Sequence, residues 1–167
     1  MKSIKRKGFT LVELLIVIVV IGILSAMMMM SSTEAVTSAK ASNVVSNLRN
    51  LKTAALAYYV DSMDYVSNLT NTTKPSGFSG DIAKYLTDDK KLNEPGYDAI
   101  ITAGGEWYVT YDVQGSETEK TGIRSKLKGR AKSIGLLKAP ADTQAGTYNK
   151  TANVYDGGDG KVALFVR

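Results

Sequence analysis

The sequence predicts an α+β protein in which one long N-terminal helix packs on a small antiparallel β-sheet head. Three observations predict it. Residues 9–30 form a nearly uncharged apolar run, the next thirty or so residues keep a helical period, and the C-terminal half carries short alternating strands separated by Gly-rich turns.

The apolar run comes first. In FTLVELLIVIVVIGILSAMMMM only Thr10, Glu13 and Ser25 interrupt the hydrophobic residues. As a helix it would be roughly 33 Å long, enough to cross the hydrocarbon core of a bilayer. No face of it is polar, which argues against a buried helix of a soluble domain. From Ser31 to about Asp64 the pattern becomes amphipathic. Val44, Leu48, Leu51, Ala55 and Tyr58 step by four and three residues and share one face. With no breaker between them, the two stretches predict one helix from about Thr10 to Asp64. Ser67–Pro75 reads as a loop, and Ser79–Leu86 as a short helix. In residues 105–113, GEWYVTYDV, the side chains of Trp107, Val109, Tyr111 and Val113 fall on one face of a strand. ANVY and KVALFV flank Asp156–Gly160 and predict a C-terminal hairpin. The expected segments are therefore 1–8, a basic leader; 9–30, a transmembrane or filament-core helix; 31–65, its amphipathic continuation; and 66–167, the sheet head.

Composition narrows the chemistry. The chain of 167 residues has no Cys and no His, which removes disulfides, Cys/His zinc sites and imidazole-based catalysis. No nucleophile–base pair or phosphate-binding loop is visible, so the protein should not be an enzyme and should need no cofactor. The formal charge is +5, from 21 basic and 16 acidic residues. Lys2, Lys5, Arg6 and Lys7 lie in the first eight residues, which hold no acid, and without them 17 basic residues face 16 acidic ones. The basicity is thus mainly a topology signal that keeps the leader cytoplasmic and places the rest of the chain outside.

Glu13 is the anomaly of the apolar run. A carboxylate inside a membrane segment costs about 2–3.5 kcal/mol near the bilayer centre, and its default reading is a function with a nameable partner. The string Lys7-Gly8-Phe9-Thr10-Leu11-Val12-Glu13, followed by the apolar stretch, resembles the N-terminal signature of type IV pilins and type II secretion pseudopilins. The resemblance implies that a prepilin peptidase cuts between Gly8 and Phe9 and methylates the new N-terminus at Phe9. It also implies a structural subunit that polymerises with other pilin subunits. The further expected partners are that peptidase, an inner-membrane assembly platform and, before assembly, the bacterial membrane. The expected location is the inner membrane for the precursor and an extracellular filament for the product. After such a cut, Phe9 carries a free amine one helical turn from Glu13, and no other cation is present in this segment. Glu13 then neutralises that amine, in its own chain or in a neighbour. Many members of the family have a Pro near the end of the apolar run; here Met27–Met30 occupies that place and no Pro occurs before Pro75. The chain also lacks the C-terminal disulfide that many relatives carry.

The same resemblance covers three roles: the main subunit of a surface filament, a pseudopilin of a secretion machine, and a DNA-binding minor or competence pilin. The last draws on Arg124, Lys126, Lys128, Arg130 and Lys132, a basic residue at every second position. On a strand these five would share one face, as a DNA-binding surface, a protected edge or a contact with an acidic neighbour. Residues 81–119 hold nine acids and three bases, whereas 120–138 hold seven bases and no acid, so the head reads as charge-segregated. Asp156 and Asp159 are candidate calcium ligands, weighed against an ordinary Gly/Asp turn.

Overall fold

A computed structural model describes residues 8–62, 78–86, 95–141 and 148–167. The fold is α+β, with a long N-terminal helix, a four-stranded antiparallel sheet and further helices. Two compact units divide the chain, Met1–Val36 and Thr37–Arg167. Helix α1, Leu11–Asp61, begins in the first and ends in the second. It stays helical through Gly22 and the Met27–Met30 run. The predicted Ser67–Pro75 loop lies outside the described residues.

In the second unit, Ala41, Val44, Val45, Leu48, Leu51, Ala54, Ala55 and Tyr58 of α1 are all buried. This is the stripe its period predicts. Helix α2, Phe78–Ala83, places Ile82 in the same core. Strands β1 (Tyr97–Ile101), β2 (Trp107–Asp112), β3 (Leu136–Lys138) and β4 (Lys161–Phe165) are ordered β1-β2-β4-β3, and all neighbours are antiparallel. Trp107, Val109, Tyr111, Val162 and Leu164 point from the sheet into the core with α1. Tyr59 and Tyr58 meet Trp107 with ring centroids 5.5 and 6.3 Å apart.

Two features differ from the sequence-based expectation. Residues 117–134, within which the alternating basic residues fall, form helix α3, Glu117–Ile134, not a strand or loop. Its cues are Ser116, whose side chain caps the first turn, Gly135 in the left-handed region at its end, and Ile123, Leu127 and Ala131 four residues apart on the buried face. The C-terminal hairpin is not formed either. KVALF is β4, but it sits between β2 and β3, whereas Val154 bridges to Leu137 on the other side of β3. Strand β3 has three residues, too few for a period to show, and it takes the place the hairpin partner would have occupied.

The sheet is buried on both faces. Ile100, Tyr108, Leu137 and Ala163 form a second small core, joined by Tyr148 and Phe165. Glu106 anchors it. Its carboxylate accepts from Tyr148 N–H at 2.8 Å, from Tyr108 O–H at 3.0 Å and from Lys150 Nζ at 3.0 Å. The Lys150 ammonium also lies 3.3 Å from the Phe165 ring centroid. Burial pulls the Glu106 pKa up, but these donors together outweigh it and hold the carboxyl below the usual range. A depressed folded pKa gives stability that is present above the unfolded value and lost as pH falls through the folded one. Glu106→Gln should therefore destabilise the protein by about 1–3 kcal/mol at pH 7. It should also flatten the loss of stability on the acid side. Urea unfolding at pH 7 and at pH 3–4, followed by Trp107 fluorescence, checks both; equal losses for Gln and Glu between those pH values would contradict it.

At Gly96 the fold demands glycine. Gly96 has φ +102°, and a Cβ there would stand 2.5 Å from the Asp112 carbonyl oxygen. Gly96→Ala should cost about 1–3 kcal/mol. Gly129→Ala, on α3 with open space around it, should be neutral or stabilising by up to about 1 kcal/mol. The same unfolding titration compares them.

Candidate functional site at the N-terminal motif

The helix starts where its own side chains stop it. Leu11 is the first helical residue, so Thr10 is the N-cap and Glu13 the third residue of the first turn. Glu13 N–H donates to Thr10 Oγ1 at 3.2 Å. In return the Glu13 Oε2 accepts from Thr10 N–H at 2.8 Å and from Thr10 O–H at 2.8 Å. This is a reciprocal capping box, two of the otherwise orphaned donors of a helix N-terminus being satisfied at once. The sequence signal for this box is the T-x-x-E spacing of Thr10 and Glu13 ahead of the apolar run.

Immediately before the box, Gly8, Phe9 and Thr10 are outside any helix and exposed, Phe9 by 86%. A Cβ on Gly8 would meet nothing within 4 Å, and its φ is not in the left-handed region. The fold therefore places no demand for glycine at this position, unlike at Gly96. Behind the box, every apolar side chain from Leu11 to Met29 is exposed on all sides of the helix. The most apolar window of α1 contains no buried residue and is long enough to cross a membrane. Glu13 is the one charged side chain in it.

These geometric features coincide with a sequence family. The family model for the prokaryotic N-terminal methylation motif matches residues 4–29. The chain carries that motif. It is the signature of type IV pilins and pseudopilins, structural proteins that are substrates of prepilin peptidase. The motif together with the apolar helix fits a membrane-anchored precursor. No curated protein and no solved structure matches the chain.

The remaining predicted site residues lie in the second unit. On α3 the alternate spacing advances about 200° per step, so Arg124, Lys126, Lys128, Arg130 and Lys132 do not form a single row. Arg130 turns back to α1, its guanidinium donating to Ser42 Oγ at 2.7 Å and to Ser38 Oγ at 3.5 Å. Arg124 and Lys126 are half-buried, and Lys128 and Lys132 are exposed. The charge segregation read from the sequence is also partly cancelled in space. Lys40 pairs with Glu119, Lys120 with Glu117, and Lys150 with Glu106.

Asp156 and Asp159, the candidate calcium ligands, face an ammonium. Lys138 Nζ lies 2.8 Å from Asp156 Oδ2 and 3.9 Å from Asp159 Oδ2. The bond from Lys138 holds the Asp156 carboxyl below its usual pKa. Asp156 Oδ1 accepts from Gly158 N–H at 3.0 Å, the bond of an ordinary Asx turn. Among the described residues no three acidic side chains cluster to hold a metal. In this structure the cation facing both carboxylates is the Lys138 ammonium.

Proposed function

We propose that this protein is the structural subunit of a type IV pilus-like surface filament. Cleavage by prepilin peptidase falls between Gly8 and Phe9, Phe9 becomes the methylated N-terminus, and the subunit polymerises through α1. The observation that carries this reading is the apolar stretch Leu11–Met29, exposed on every side and interrupted by one carboxylate placed one turn from the new N-terminus. Such a stretch has two environments that remove it from water, lipid and a bundle of its own kind. Lipid accommodates the precursor. The bundle accommodates the product, because cleavage discards four cationic side chains that hold the end at the cytoplasmic face. It also creates an amine that neutralises Glu13 within a helix bundle. Glycine at position 8, which the fold does not require, fits close backbone approach by the peptidase.

Electron microscopy of sheared cell surfaces, with immunogold against this chain, tests the proposal. Long filaments built mainly from the chain support it. Short polymers confined to the periplasm, together with a secretion defect in the deletion strain, would assign it instead to a secretion machine.

A further inference from the structure

The Thr10–Glu13 capping box has a consequence for the precursor. An N-cap residue must leave helical geometry, because its side chain folds back over the first turn. By fixing the helix start at Leu11, the box keeps Phe9 and Gly8 out of the helix. A peptide bond is cleaved by a protease only when its backbone is not already hydrogen-bonded within a helix. We propose that Thr10 is a positioning residue for cleavage: its hydroxyl, paired with Glu13, ends the helix one residue short of Phe9 and leaves the Gly8–Phe9 bond outside the helix for the peptidase. This rests on the reading of the chain as a peptidase substrate.

The alternative start explains why a stop is needed. Nothing in the sequence from Ile4 to Lys7 breaks a helix, and Ser3 is itself a cap-type residue. Gly8 is the single weak helix former between Ser3 and the apolar run. Without the box, the helix is free to propagate through Phe9 toward Ser3, enclosing the bond to be cut. The neighbouring case in the same chain supports the assignment of both halves. Ser116 and Glu119 have the same S/T-x-x-E spacing at the start of α3, where Glu119 N–H donates to Ser116 Oγ at 3.4 Å and the Glu119 carboxylate is shared between the Ser116 backbone and Lys40. At Thr10 the Glu13 carboxylate accepts from the backbone and the hydroxyl of the cap residue itself, which closes the box.

The full-length precursor, in membranes with its prepilin peptidase, tests this through initial cleavage rates. Thr10→Ala removes the cap and adds a strong helix former; it should slow cleavage roughly fivefold. Thr10→Ser and Thr10→Asn, which cap as well as Thr, should cleave within about twofold of wild type. In parallel, Cα chemical shifts of Phe9 in micelles should move toward helical values in Thr10→Ala alone. Wild-type cleavage with equal rates for Ala and Ser overturns the inference and leaves the substrate reading intact. So does a slow Asn variant beside a fast Ser variant, which would mean that the peptidase reads the shape of the side chain. Failure of the wild-type chain to be cleaved would overturn the substrate reading itself.

Discussion

Cells carrying Gly8→Val should hold the chain entirely as precursor in the membrane and display no filaments. The expected effect is a loss of cleavage of at least a hundredfold, read as a band shift on immunoblots of membrane fractions. The reason is local. Position 8 is exposed and its conformation is open to any residue, so the substitution leaves the folded protein unchanged. The branched side chain interferes only where a second backbone must approach closely. An uncut chain keeps Lys2, Lys5, Arg6 and Lys7, and bringing these into an apolar helix bundle is prohibitive. A Gly8→Val protein that is processed and assembled normally would mean that the cut lies elsewhere.

Glu13→Ala separates cleavage from assembly. This variant should still be cut, because Thr10 Oγ1 continues to accept from the first turn and half of the cap survives. Filament yield should nevertheless fall at least tenfold. After cleavage the Phe9 amine is mostly charged near neutral pH, and in an apolar bundle it would have no anion of its own segment to meet. Glu13→Gln should restore capping geometry but not assembly, since a neutral amide offers no countercharge. Sheared filaments quantified against total cell-associated subunit give the readout. Normal yields in both variants would remove Glu13 from the account. A small loss in cleavage alone would mark it as a capping residue and nothing more.

How far each part was legible in the sequence follows from how local its signal is. The α1 stripe, the Trp107–Val113 face and the apolar run rest on periods carried by many residues, and the structure shows all three. Helix α3 was misread because its alternating charges imitate a strand, while its real cues were one serine, one glycine and three apolar residues four apart. The hairpin was misread because the partner of β4 is a three-residue strand whose pairing is decided by tertiary packing. Likewise, the calcium alternative at Asp156 and Asp159 could not be judged without Lys138, eighteen residues away, which answers both acids. At the N-terminal site the residues were all visible beforehand, but the link between Thr10 and Glu13 was not drawn. The sequence points to the Phe9 amine, one turn from Glu13, as the partner of the carboxylate, whereas in this structure its donors are the Thr10 N–H and hydroxyl, three residues away.

The central claim is that the chain is processed at the methylation motif and works as the product of that processing. Intact-mass and N-terminal peptide mass spectrometry of the chain recovered from sheared surface material tests it most directly. The account predicts a chain that begins at Phe9 and carries one methyl group on its N-terminal amine. An intact Met1, or an N-terminus at any residue other than Phe9, would contradict it.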